Sequence, residues 1–250
     1  MSNIYHVLTG DALLENFPKE KIKGTLIINR ECLIEGPVAH EVSDQFWKER
    51  EQYLSQTYSD SDIEYRSEVM AELTKLQRLK DGDEVNLWFE HDLFCQTNLW
   101  FTITLIPNNV KVYRVSPIIE EQEYLWYGFG ALSKDELVTC FEEREPLSTQ
   151  EVDLGKSLWV AYANEDTASL RSLSQTPTTS FHYLKEVCEA HIERELKTGQ
   201  PGRPERVIRK IIETEGRSFH KVFREFCEQE GIYGFGDLQV KHIYDQILQS

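Results

Sequence analysis

Val85-Asn86-Leu87-Trp88-Phe89-Glu90-His91-Asp92-Leu93-Phe94-Cys95-Gln96 is the stretch that decides the fold. A short apolar run ends abruptly in two carboxylates and an imidazole. A second apolar run, Leu93 to Ile106, follows with almost no room for a loop. The first has the length of a buried strand and the second that of a buried helix. Charges are seldom placed at such a junction unless they are paired, ligated or used.

Working outward, three more runs match the strand pattern: Ile4 to Leu8, Thr25 to Ile28 and Val110 to Val115. They are continuous rather than alternating, which suggests parallel strands covered on both faces. A helix begins at Ala12-Leu13-Leu14, and Val69, Leu73, Leu76 and Leu79 keep helical spacing. The expected fold is α/β, a short parallel sheet of about four strands with a helical insertion, followed by a mostly helical C-terminal domain. The expected boundaries are a Rossmann-like domain over 1–118, with its insertion at 38–82, and a helical domain over 119–250. In the latter, Ser133-Lys134-Asp135-Glu136 and Ser148-Thr149-Gln150-Glu151 are capping boxes that start helices near Lys134 and Thr149. Pro204 suits the first turn of another helix. Three amphipathic helices over 201–250 suggest a helix-turn-helix-like bundle, more often an interaction module than a groove reader.

All four strands end in polar residues on their C-terminal side: Thr9, Gly10 and Asp11, then Arg30 and Glu31, then Glu90, His91 and Asp92, then Arg114 and Ser116. Parallel strands place these ends on one edge, and ligands of open α/β sheets bind there. Glu90, His91 and Asp92 are the candidate catalytic acids and bases. Neighbouring residues cannot all point one way, so at most two of them line a cleft. A histidine facing both carboxylates would have its pKa raised. Thr9, Gly10, Asp11, Arg30, Glu31 and Arg114 are the candidate ligand-binding residues, with the arginines suited to an anionic group.

Blander roles stand beside these. Asp11 could simply cap the helix at Ala12, and Arg30 could pair with Glu31. His91 and Cys95 are four apart and with Glu90, Asp92, Asp11 and Glu31 would suit a divalent ion, but no strong metal motif such as His-Glu-x-x-His occurs. No metal site is assigned and the cofactor is unknown. The chain has no Gly-x-Gly-x-x-Gly or Walker sequence for a nucleotide and no Gly-x-Ser-x-Gly elbow for a nucleophile. Tyr127-Gly128-Phe129-Gly130 recurs as Tyr233-Gly234-Phe235-Gly236, read as two aromatic-glycine loops, either able to form a lid.

With Thr9-Gly10-Asp11, Arg30-Glu31, Glu35-Gly36-Pro37 and Gly128-Phe129-Gly130-Ala131-Leu132, the Phe89-to-Gln96 string resembles an uncharacterised bacterial family catalogued as domain of unknown function 1835. The likeness covers roughly residues 3 to 135, and the tail resembles the helical companion domain such proteins often carry. The resemblance implies no activity and no catalytic residue.

Composition narrows the function classes. The net charge of -16 argues against bulk binding to a phosphate backbone. Only residues 201–225 run the other way, with seven cations against four acids. Five scattered cysteines with no Cys-x-x-Cys pair suggest reduced thiols and a cytoplasmic setting. No apolar stretch reaches membrane-spanning length, and the charged first thirty residues do not read as a secretory signal. The function expected is an enzyme binding a small molecule, an anionic metabolite or nucleotide-like ligand, at the C-terminal edge of the sheet. The alternative is a ligand-sensing regulatory protein whose basic C-terminal helices contact nucleic acid or a protein. A homo-oligomer remains open.

Overall fold

The computed structural model describes residues 2–58, 64–194 and 199–249. Residues 59–63 of the expected insertion and 195–198 of the expected helical domain lie outside them. Ile4–Thr9 (β1) runs into Gly10–Asn16 (α1), which returns the chain to Thr25–Asn29 (β2). The insertion holds Asp44–Thr57 (α2), a π-helical turn at Tyr65–Met70, Ala71–Thr74 (α3) and a 3-10 turn at Leu76–Arg78. Glu84–Trp88 (β3), Leu93–Thr104 (α4) and Lys111–Val115 (β4) follow. A 3-10 segment at Gln122–Ala131 leads to Lys134–Glu142 (α5), Glu145–Pro146 (β5), Thr149–Ala163 (α6), Thr167–Leu173 (α7) and Leu184–Arg194 (α8). Arg203–Glu215 (α9), Phe219–Glu230 (α10) and Asp237–Gln249 (α11) complete the chain.

The sheet order is β2-β1-β3-β4-β5. β1 to β4 are mutually parallel, as their unbroken apolar runs demanded, and β5 pairs antiparallel with β4. β5 was not expected. It is two residues long, ends in proline and has no apolar run to announce it. Leu8 pairs with Ile28 and with Trp88, and Trp88 with Val115, so the four C-terminal ends share one edge. From β1 the chain moves outward to β2, then crosses back over β1 to β3. Strand order therefore reverses between β1 and β3, which opens a crevice above that pair.

Successive strand residues face opposite layers. Val7, Ile27 and Leu87 point into a core that also takes in α4, α6 and residues of the last helices, including Tyr233 and Val240. Leu8, Ile28, Trp88 and Val115 point the other way, onto Leu13 and Phe17 from the α1 side and Leu137 and Cys140 of α5. Helix α4 is buried on every side, which explains why its sequence lacks an amphipathic period. Two of its polar residues fasten the end of β2 and the loop after it. Asn98 Nδ2 donates to the Glu31 carbonyl at 2.7 Å, and Asn29 Nδ2 donates to Thr102 Oγ1 at 3.1 Å.

Both capping boxes form, at Ser133 with Glu136 and at Ser148 with Glu151, and Pro204 lies in the first turn of α9. Val69, Leu73, Leu76 and Leu79 are all buried, but across a π turn, a short α-helix and a 3-10 turn rather than one continuous helix. Among the described residues no helix is long and apolar enough to cross a membrane. All five cysteines are free.

Candidate functional site

The loop after β3 starts α4, and its geometry places the first carboxylates. Asp92 is the N-cap of α4, extended in backbone, with Oδ1 accepting the Cys95 N–H at 2.9 Å. One turn into the helix, the Cys95 thiol points back and donates to Glu90 Oε2 at 2.8 Å. Thr9, the last residue of β1, brings Oγ1 to 3.5 Å from the same sulfur. Glu90, Asp92, Cys95 and Thr9 thus meet over the β1–β3 crevice.

Two glycine turns cover this group. Gly128 has φ 56° and ψ -140°, and a Cβ there would overlap Glu90 Cγ. Gly234 has φ 62°, and a Cβ there would overlap Asp92 Oδ1. The duplicated Tyr-Gly-Phe-Gly strings therefore converge on the two carboxylates, one on each. The adjoining Phe129 N–H donates to Glu90 Oε1 at 3.3 Å. Phe129, Tyr233 and Phe235 are buried and fix the turns in place.

The electrostatics follow from crowding two acids in a sheltered space. Burial first, and then the charge of Asp92, push Glu90 up to about 7, against the Cys95 and Phe129 hydrogen bonds that favour its ionised form. Burial also raises Asp92, opposed by the backbone N–H of Cys95. Cys95 is raised well above its ordinary value by burial and by both carboxylates, so it stays a thiol and acts as a donor. The three groups bring one oxygen, one oxygen and one sulfur within 4.8 Å, close enough to hold a divalent ion. In this structure the same atoms are joined by the hydrogen bonds described above, from the Cys95 thiol to Glu90 and from the Cys95 N–H to Asp92.

His91 turns the other way. It is 5% exposed and packs edge-on against His182 at 5.4 Å and Tyr183 at 5.3 Å. Burial, then the charge of Arg114 and of His182, lower its pKa to about 3. The expected rise is corrected first by burial, and then because the charges His91 meets are those of Arg114 and His182 and not the carboxylates. His91 also precedes the helix, so it shares no helical face with Cys95. Beside it lies Arg114, 2% exposed, with Nη2 donating to the Glu90 carbonyl at 3.2 Å.

The loop after β2 is wired differently from its sequence neighbours' suggestion. Arg30 makes a two-pronged ion pair with Asp11, both distances 2.7 Å, and its Nη1 donates to the Glu68 carbonyl at 3.0 Å. Asp11 is accordingly not the cap of α1. Thr9 holds the N-cap position, Gly10 opens the helix with φ 74°, and Asp11 sits in the first turn. Glu31 pairs with Arg50 of α2 instead of Arg30, at 2.8 Å and with both side chains fully buried. Tyr65 Oη donates to Glu31, and the Cys32 N–H donates to Glu31 at 2.9 Å. A cavity of about 490 Å³ opens beside this network, lined among others by Arg30, Tyr58, Tyr65, Phe94, Gly234 and Gln239. Tyr58 Oη accepts from Gln239 at 2.8 Å, so α11 closes one wall.

The structure therefore unites Thr9, Glu90 and Asp92, and sets His91 with Arg114 on another side. Asp11 with Arg30, and Glu31 with Arg50, form two separate pairs. Sequence reasoning placed Cys95 beside Glu90 and Asp92 only as a possible ion ligand, and missed Arg50, Tyr65, His182 and Tyr183 as members of these groups. Only the repeated Tyr-Gly-Phe-Gly string signalled Gly128 and Gly234. Comparison with known proteins finds no matching family model, no matching curated protein and no matching solved structure.

Proposed function

We propose that the protein is an enzyme that binds a small molecule at the C-terminal edge of the sheet and uses Glu90 as its general acid and base. The observation that carries this is the position of the Glu90–Asp92–Cys95–Thr9 group, where strand order reverses and two glycine turns close over the carboxylates. A carboxyl poised near 7 can both release and accept a proton at neutral pH. The cavity of about 490 Å³ touches the same Gly234 turn, and its mostly apolar lining with a few polar groups suits the body of a metabolite or nucleotide-like ligand. Arg30 lines that cavity and is paired with Asp11, whereas Arg114 lines a separate cavity.

A thermal-shift screen of nucleotides, phosphorylated metabolites and small carboxylates tests this. One class at a hundred times its Kd should stabilise the protein by about 2.7 kcal/mol, a rise of roughly 5–10 °C for a chain of this size. The effect should disappear in Thr9→Val and Glu90→Gln. A panel without any shift, or a shift that both variants retain, would remove the proposal.

The sensor alternative has one observation in its favour: the Gly234 turn and Gln239 of the helical tail press on Asp92 and Tyr58, so ligand binding would be felt there directly. Its output would be a protein contact rather than nucleic acid. The cations of α9 and α10 are largely taken by acids, Arg203 by Glu193 and Glu230, Arg209 by Glu205, Lys221 by Glu215 and Arg224 by Glu225. Kinship with the family of unknown function 1835 rests on the quoted strings alone.

A further inference from the structure

The 3-10 segment Gln122–Ala131 has an inner and an outer side. Inward, Leu125 and Phe129 are buried, and Gly128 abuts Glu90. Outward, Tyr124 and Tyr127 stand 45% and 59% exposed, in edge-to-face contact with ring centroids 5.9 Å apart. With Ile118, 41% exposed, they are three of the seven large apolar side chains that face water among the described residues. All three line one open cleft of about 670 Å³ that reaches α5. Single apolar residues scattered on a surface are ordinary, whereas a contiguous patch rimmed by polar groups marks a contact site. Leu125 and Phe129 anchor the segment from beneath, so the two rings are presented to a partner at small entropic cost.

The charge of the cleft decides what suits it. Its lining carries the carboxylates of Glu120, Glu121 and Glu136 and no cationic side chain. The hydrogen bond to Glu123, then the charges of Glu123 and Glu121, raise the Tyr124 phenol above its ordinary value, which marks a negative local field. Tyrosine faces also favour cations. A second copy of this chain is a poor match, because it carries -16 overall and Arg203, Arg209, Lys221 and Arg224 of its basic stretch are already paired. A free organic cation is a poor match too. With both rings about half in water, one exposed cation–π contact strengthens binding only about two- to fivefold. A peptide segment joins several such contacts to the burial of apolar side chains.

We propose that this cleft docks a basic amphipathic segment of a partner protein. Its apolar side chains lie against Ile118, Tyr124 and Tyr127, and its lysines or arginines meet Glu120, Glu121 and Glu136. The proposal is independent of the acid–base reading of Glu90.

The probes are three fluorescein-labelled peptides of about twelve residues, titrated with the full chain at about 150 mM salt and followed by anisotropy. The first places leucine and lysine at helical period, the second has glutamate for lysine and the third serine for leucine. The first should bind saturably, the second should not bind, and the third should bind at least about tenfold more weakly. Tyr127→Ser should weaken the first peptide about tenfold, and so should Glu120→Lys combined with Glu121→Lys. Glu41→Lys combined with Asp153→Lys makes the same charge change at exposed acids outside the cleft, and should leave affinity within about twofold. Absence of saturable binding, equal affinity for the serine peptide, equal losses in the two charge pairs, or wild-type affinity in Tyr127→Ser would each overturn the proposal. A dimer of the peptide-free chain that Tyr127→Ser abolishes, seen by sedimentation, would give the cleft to a second copy. Tighter binding of spermidine than of the first peptide would give it to a free polyamine, and either result overturns the proposal.

Discussion

Glu90→Gln keeps the shape of the side chain and removes its titration, so it converts the electrostatics of the crevice into a stability measurement. Burial and Asp92 raise Glu90 from 4.5 to about 7, which corresponds to about 3 kcal/mol. Below pH 4.5 the carboxyl is protonated in both folded and unfolded chains and carries no penalty. As pH rises toward 7 the unfolded chain releases its proton while the folded chain keeps it, so the wild type loses stability. Above 7 the loss is complete. The unfolding free energy of Glu90→Gln minus that of wild type should therefore rise by about 3 kcal/mol between pH 4.5 and pH 8. Subtraction cancels titrations common to both proteins, such as those of His91 and His191. Urea denaturation followed by tryptophan fluorescence at four pH values gives the difference directly. A difference constant to within roughly 0.5 kcal/mol, or a variant less stable than wild type at pH 8, would refute the reasoning.

Arg50→Met strands the Glu31 carboxylate in a fully buried site, and should cost about 3–5 kcal/mol in urea unfolding; a loss below about 1 kcal/mol would mean that Glu31 is readily resolvated. Gly128→Ala and Gly234→Ala should each displace a carboxylate and move the Glu90 titration, whereas Gly82→Ala, also at positive φ but with open space around it, should leave that titration unchanged. Equal titrations in all three variants would show that the turns do not confine the carboxylates. His91, neutral in the fold because burial lowers it to about 3, contributes stability that is present above pH 6.5 and lost as pH falls toward 3. His91→Gln should accordingly move the acid-unfolding midpoint to lower pH, and an unchanged midpoint would contradict that burial.

Four strands were legible because apolar runs carry no alternation: Val85–Phe89 is fully buried, and Thr25–Ile28 runs from the surface into burial at Ile27 and Ile28. The edge that gathers Asp11, Glu31 and Glu90 followed from parallel topology alone. Pairing was not legible. Arg30 is adjacent to Glu31 in sequence, yet strand geometry sends one toward α1 and the other beneath α2, where Arg50 arrives from nineteen positions away. The direction of His91 was equally hidden, since consecutive residues leaving a strand diverge and only β4 and residues 182–183 decide what each meets. Cys95 lies in the core, and its thiol also reaches Glu90. That depends on where the N-cap falls, which is set by Asp92.

A carbon-13 titration of the Glu90 side-chain carboxyl, assigned by its absence in Glu90→Gln, tests the acid–base role most directly. A midpoint near 7 that moves when a bound small molecule is present is the expected result. A midpoint near 4.5, indifferent to every ligand that stabilises the protein, would contradict it.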